Sequence, residues 1–231
     1  MPTPRPFDLP RYLSLLPPFQ DLPAASLARL AAHSQLRRLA RGDTVFRAGE
    51  PCTVFNVAVT GQFKLFVLSA AGQEKVIEIA GPGCSLAEES TFSGQPYRVH
   101  AQAQGDALLL TLDKTALLAE VSESAGLARR LLSGVGSRMQ SLVHDIESQA
   151  LNSGVQRVVA YLVRDGSGTE PAPATVALPV SKATIASRLS LTPEYFSRVL
   201  RDLESAGLIR VDHRAIRIND RRRLAAYPRV A

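Results

Sequence analysis

Four polar side chains, Glu194, Ser197, Arg198 and Arg201, recur at intervals of three and four residues in the stretch TPEYFSRVLRDLESAG. At helical pitch they share one face. Arginine can bond bidentately to guanine and glutamate can accept from the cytosine amino group, so a helix offering both suits the DNA major groove. Phe196, Val199, Leu200 and Leu203 follow the same rule on the other side and form an apolar stripe that would dock the helix. Thr192 is placed to cap its free N–H groups, Pro193 suits a first helical position, and Gly207 follows the last turn.

A second helix is needed to aim the first. VSKATIASRLSL supplies one from Ser181, with Ile185, Ala186 and Leu189 on one side and a turn at Ser190–Thr192. A lone helix with a solvated charged face would look the same as the one at 193. The segment that follows separates the two readings. Leu208–Ile218 alternates like a short hairpin around Asp212–Arg214 and supplies Arg210, Arg214 and Arg217. Two helices and a basic wing point to DNA binding.

Charge agrees. Residues 1–151 hold 14 Lys/Arg against 14 Asp/Glu, and residues 152–231 hold 13 against 7, so the whole net charge of +6 lies with the two helices and the wing. Phosphate neutralisation requires such an excess. Arg221–Arg223 alone would be compatible with a solvated run. At 231 residues and 45% apolar content, the chain can bury a core and is expected to form two domains. No run reaches the roughly 18 apolar residues of a membrane span, and MPTPRPFDLPRYL lacks the apolar centre of a secretory signal. Only Cys52 and Cys84 occur, which fits a reducing cytoplasm and excludes a four-cysteine cluster or a structural zinc.

The proline-rich residues 1–20 are expected to be irregular, with a short helix at Pro23–Ser34. Residues 35–112 change to short alternating runs, 44–46, 54–60, 62–69, 75–80, 99–104 and 107–112, punctuated by glycines. Such a pattern predicts an antiparallel roll or barrel. A short helix near Lys114–Glu120 and a long one from about Glu123 to Ala150 follow. Leu132, Val135, Met139, Leu142 and Ile146 are spaced 3, 4, 3, 4 along the long helix, a coiled-coil seam, and are taken as a dimer interface. Gly134 and Gly136 interrupt it; they read either as close backbone packing on the roll or as a weak turn that tightens when an effector binds. Asn152 and Ser153 can cap a helix at 154–164, 166–175 reads as a flexible loop, and 176–178 as a strand. The expected fold is α+β: a sensing β-roll over 1–120, a dimerisation helix over 121–151 and a winged helix-turn-helix over 152–231.

These parts together resemble the Crp/Fnr family of bacterial transcription regulators over nearly the whole chain. The resemblance is carried by GDTVFRAGEPCTVFNVAVTGQFKLF, GCSLAEESTFSGQPYRVHAQA, the long helix and the winged helix-turn-helix. It implies an effector-sensing roll, a homodimer, double-stranded DNA as partner and contact with RNA polymerase. Glu194, Ser197 and Arg198 occupy the Glu-x-x-Ser-Arg places of the Fnr branch, whereas Pro193 and Ser197 stand where the catabolite-activator branch has Arg and Gly. That implies a palindrome of TTGAT-like half-sites, with Arg198 on the guanine and Glu194 on the opposing cytosine. Lys182, Thr192, Pro193 and Arg201 complete the expected DNA contacts.

The effector pocket implied by the resemblance maps to Glu88, Arg98, Val99, Arg138, Leu142 and Val143. Glu88, Arg98 and Arg138 match the Glu and Arg positions of the cyclic-AMP members. Ala87 replaces their Gly, Val99 their Ser, and Leu142–Val143 their Thr-Ser pair. Lost hydrogen bonds, each worth about 0.5–1.5 kcal/mol, disfavour cyclic AMP. The N-terminal cysteine cluster of the oxygen sensors is missing, so an iron–sulfur cluster is not expected. QPYRVHAQA, LNSGVQRVVAYL and TPEYFSRVL resemble the nitric-oxide-responsive regulators of denitrification, which are thought to use haem. Haem is possible here, but His33, His100, His144 and His213 are scattered and none is marked as an axial ligand.

Two rival functions fit the sequence less well. A cupin-like metal enzyme needs clustered His and carboxylate ligands on adjacent strands, and His100 has no second His nearby. Glu88–Glu89 would point to opposite faces if they lay on a strand. A non-specific architectural DNA protein has no use for Glu194, because a carboxylate near phosphates is unfavourable unless it reads a base. No catalytic residues and no metal site are expected.

Overall fold

The computed structural model describes residues 7–165, 174–213 and 215–227. Most of the loop expected over 166–175 lies outside them, and so does Arg214 of the wing. The chain divides into two compact units, Met1–Val67 with Ile79–Ser141, and Leu68–Glu78 with Leu142–Ala231.

The chain opens with α1 (Leu9–Leu15) and α2 (Ala24–Ala32), followed by the strands β1 (Ser34–Leu39), β2 (Thr44–Phe46), β3 (Val54–Thr60), β4 (Phe63–Leu68), β5 (Glu74–Ala80) and β6 (Ser85–Leu86), of which the β4–β5 hairpin segment Leu68–Glu78 belongs to the second unit. Next come α3 (Glu88–Ser93), β7 (His100–Ala103), β8 (Ala107–Asp113), α4 (Lys114–Glu123) and α5 (Ala125–Leu151), which runs on into the second unit. The strands form two four-stranded sheets, ordered β1-β8-β3-β6 and β2-β7-β4-β5.

Strand periodicity explains why the first sheet forms a wall. Side chains alternate across a strand, so a strand that is apolar at every position must be covered on both faces. On β3 and β8, Phe55, Val57, Leu110 and Leu112 face a cluster with Leu13, Leu30, Leu117 and Leu127 from the helices. Ala58 and Leu109 face the other way, into a cluster with Phe46, Phe63, Leu65 and Ala101 of the second sheet. Phe46 and Tyr97 stack there with ring centroids 3.7 Å apart.

The expectations needed several corrections. Residues 9–15 are not irregular: Asp8 accepts the Arg11 N–H at 3.0 Å and Pro10 sits in the first turn, so the prolines start a helix instead of preventing one. Residues 34–39 were not expected to pair, yet they lie along β8, because two of their arginines can point to water from an edge strand. Glu88 and Glu89 begin α3 and are not strand neighbours. The long helix starts at Ala125, since Ser124 leaves helical conformation and accepts the Leu127 N–H at 3.2 Å. A Cβ at Gly134 or Gly136 would meet nothing within 4 Å, so close backbone packing on the roll does not account for them.

The second unit contains α6 (Gly154–Asp165), β9 (Ala174–Ala177), α7 (Lys182–Arg188), α8 (Pro193–Ser205), β10 (Ile209–Asp212), β11 (Ala215–Ile218) and α9 (Arg221–Ala225), with β10-β11-β9 as one antiparallel sheet. Residues 221–223, read as a possible solvated run, open α9. Asp220 accepts the Arg223 N–H, and Arg221 donates to the Val163 carbonyl at 2.7 Å.

Gly61 gives a stability prediction. Its φ is +81°, and a Cβ there would lie 2.6 Å from Ala107 Cβ and 2.8 Å from the Asp106 carbonyl oxygen. Gly61→Ala is therefore expected to cost about 1–3 kcal/mol. Gly42→Ala, where φ is +93° but the space is open, should cost roughly 1 kcal/mol. Urea midpoints of the two variants check the order.

Candidate nucleic-acid interface

The recognition element is set by caps and a buried stripe. Ser181 Oγ accepts the Thr184 N–H at 3.1 Å to open α7, and Thr192 Oγ1 accepts the Tyr195 N–H at 3.2 Å to open α8. Between them Ser190 turns the chain with φ of +56°, left-handed for a non-glycine residue. At the far end Gly207 takes φ +70°, and the Leu208 N–H reaches back to the Leu203 carbonyl at 3.0 Å.

Phe196, Val199, Leu200 and Leu203 are all buried. Thr192, Pro193, Glu194, Arg198 and Arg201 are exposed, while Ser197 and Lys182 are half-buried. The residues expected to touch DNA are thus brought together around the start and outer face of α8, with Lys182 opening α7. The Arg198 guanidinium lies over the Tyr195 ring, 4.8 Å from its centroid.

The wing is electrostatically one-sided. Arg210 and Arg217 pair directly across β10 and β11, and both side chains are exposed. Like charges directly opposite on a sheet repel. An anion at this place would remove the penalty.

Three residues that sequence reasoning missed converge on the turn between α7 and α8. The last carbonyls of a helix lack intrahelical partners and carry the negative end of its dipole. Lys75, in the hairpin segment that belongs to the second unit, donates to the Ser187 carbonyl at 2.7 Å, the Arg188 carbonyl at 3.2 Å and Ser190 Oγ at 2.7 Å. Arg157 on α6 donates to the Asn152 carbonyl at 2.9 Å and the Ser190 carbonyl at 3.4 Å. Asp145 on α5 accepts a hydrogen bond from Arg188. The contacts made at this turn join residues 33 to 115 apart in sequence, so no local pattern announces them. Burial pulls the Lys75 pKa down to about 8, helped by the Arg188 and Arg157 charges.

The residues expected at the effector pocket are divided. In the first unit Glu88 is buried at the start of α3. It accepts from Ser85 Oγ at 3.0 Å and lies 3.6 Å from Arg138 Nε. Burial raises its pKa. Ala87, just before it, takes φ +54°, a left-handed geometry that costs a non-glycine residue roughly 1–2 kcal/mol. Arg98 is exposed and Val99 half-buried, whereas Leu142 and Val143 belong to the second unit and are exposed. The seam of α5 is open along most of its length: Leu132 is 70% exposed, Met139 63% and Ile146 68%, Leu142 is also exposed, and Val135 is half-buried.

His33, His100, His144 and His213 fall on four different segments, and His100 stacks on Phe66. Among the described residues, no group of three or more His, Cys, Asp and Glu is placed to hold a metal, and no helix is long and apolar enough to cross a membrane.

Comparison with known proteins agrees with this division of labour. Residues 36–124 match the cyclic nucleotide-binding domain family and residues 156–227 the Crp-like helix-turn-helix domain family. The chain is 24% identical over 214 residues to the CRP-like cAMP-activated global transcriptional regulator of Mycobacterium tuberculosis, covering 91% of this chain and 96% of that protein. The structure of FixK2 from Bradyrhizobium japonicum matches with a TM-score of 0.76 at 21% identity, over 86% of this chain and 98% of that one. That of DNR from Pseudomonas aeruginosa is 33% identical over 94% of this chain and 96% of that one, with a TM-score of 0.50.

The Lys75 contact makes a pH prediction. Its pKa is about 8 in the folded chain against an ordinary 10.5, so between these values the unfolded chain holds the proton that the folded chain has released. Stability contributed by this group therefore rises with pH across that window. The difference in urea midpoint between the native protein and Lys75→Met is expected to move in favour of the native protein from pH 8 to 10. A difference that stays flat or falls would count against the buried, cation-crowded placement of Lys75.

Proposed function

The chain belongs to the Crp/Fnr family of DNA-binding transcription regulators, and we propose that it acts as a homodimer reading a palindrome of TTGAT-like half-sites. The observation that carries this reading is α8. It buries Phe196, Val199, Leu200 and Leu203 while Glu194 and Arg198 are exposed on the opposite face with Ser197 between them. Arg198 bonds the guanine, Glu194 accepts from the opposing cytosine, and Lys182, Thr192, Pro193 and Arg201 serve the backbone and flanking contacts. Arg210 and Arg217 supply the wing with phosphate-binding charge.

The open seam on α5 supports dimerisation. Leu132, Met139 and Ile146 gain nothing from exposure, and a second copy of the helix would cover them. Two recognition helices then meet successive major grooves about 34 Å apart. Gly134 and Gly136, open on this helix, leave room for the partner's backbone.

The roll is the sensing part, and cyclic AMP is disfavoured as its small effector. Glu88 and Arg138 are already within ion-pairing distance of each other, and Ala87 and Val99 remove groups that a cyclic phosphate would use. The likeness of QPYRVHAQA, LNSGVQRVVAYL and TPEYFSRVL to the nitric-oxide-responsive regulators, together with 33% identity to DNR, supports a place beside them. Contact with RNA polymerase and a cytoplasmic location go with this role.

Binding of a fluorescent duplex carrying the palindrome tests the reading at fixed salt. Arg198→Ala is expected to weaken the palindrome roughly 10–100-fold and an unrelated duplex by less than about threefold. Equal weakening on both would remove the specific role. Ile146→Glu should shift the sedimentation coefficient to that of a monomer and abolish tight binding to the full palindrome while single half-site binding persists. Cyclic AMP is expected to leave the affinity unchanged within about twofold.

A further inference from the structure

We infer that Tyr195 is a positioning residue for base reading: its ring, packed against the backbone at Gly154, holds the Arg198 guanidinium in its reading direction before DNA arrives. The inference rests on the base-reading role proposed for Arg198.

Tyr195 is not explained by the core. The buried stripe of α8 is complete without it, and the residue is only half-buried. It sits three positions before Arg198, so the two side chains are neighbours on the helix surface. The guanidinium carbon stands 4.8 Å from the ring centroid, within cation–π range. An exposed arginine samples many rotamers, and each must be given up when it meets a base. A ring beneath it reduces that loss.

The ring in turn has a fixed seat. A Cβ added at Gly154 would lie 2.6 Å from Tyr195 Cε1, 3.1 Å from its Cζ and 2.9 Å from Leu191 Cδ2. Gly154 does not take a positive φ, so its backbone does not require glycine. What the glycine supplies is the missing side chain, and the tyrosine ring uses the space. The seat is itself held in place, because Ser153 and Gln156 close a reciprocal cap at the start of α6. The Gln156 N–H donates to Ser153 Oγ at 3.3 Å, and the Ser153 N–H to Gln156 Oε1 at 2.7 Å. The path from the start of α6 to the reading arginine therefore runs through one ring.

The test uses the full-length protein and two duplexes, the palindrome and a version with the guanine–cytosine pair of each half-site inverted. Their affinity ratio at fixed salt is the readout, with thermal midpoints as a folding control. Tyr195→Phe keeps the ring and should keep the ratio within about twofold. Tyr195→Leu and Gly154→Ala should each lower it about 3–10-fold while affinity for the inverted duplex holds. In an Arg198→Ala background, Tyr195→Leu should lower it no further. A native ratio in Tyr195→Leu, with a collapsed ratio in Arg198→Ala, would leave base reading intact and overturn the positioning role. Loss on both duplexes alike would also overturn it, by making Tyr195 a general structural or phosphate contact. An unchanged ratio in Arg198→Ala would remove the base-reading role itself, and this inference with it.

Discussion

The carbonyl groups at the end of α7 are the point on which the DNA-binding unit depends. A short helix cannot satisfy its last carbonyls internally, and here the turn that follows must also aim α8. The ammonium of Lys75 and the guanidinium of Arg157 bond to oxygens between Ser187 and Ser190, while Arg188 is tied to Asp145. Side chains from three separate places in the chain thus meet at one turn. Burying an ammonium beside other positive charge has a cost, visible in the lowered pKa of Lys75. The carbonyl acceptors and the Asp145 carboxylate offset it.

Such a turn links two properties that a regulator needs. The recognition helix must be rigid against its own unit, which its buried stripe and its caps achieve. Its aim must also be open to influence from elsewhere. One route to it is the connection at residues 151–153, between α5 and α6. The structure adds two further attachments, Asp145 on α5 and Lys75 in the hairpin segment, both on the same turn. Asp145 holds Arg188, and Lys75 holds Ser190, two residues before the cap of α8.

Much of the fold was legible because it is written in periodicity. The runs at 54–60 and 107–112 are apolar at nearly every position, and the structure gives each strand two covered faces. The two faces of α8 were equally plain. Residues 34–39 were not, since SQLRRL alternates too weakly when its exposed face carries arginine. The proline-rich start misled for a local reason, as proline opens helices as readily as it ends them. The site followed the same division. Glu194, Ser197 and Arg198 announce themselves by spacing, while Lys75 and Arg157 act across long sequence separations that no window covers. Gly154 was read as part of a helix start. That its missing side chain seats a ring from α8 is a tertiary fact.

The wing carries a different lesson. Arg210 and Arg217 face each other in register across the hairpin, so the free protein holds a like-charge repulsion there. A polyanion beside the pair would relieve it. The hairpin is thus a place where the most stable sequence and the most functional sequence cannot be the same.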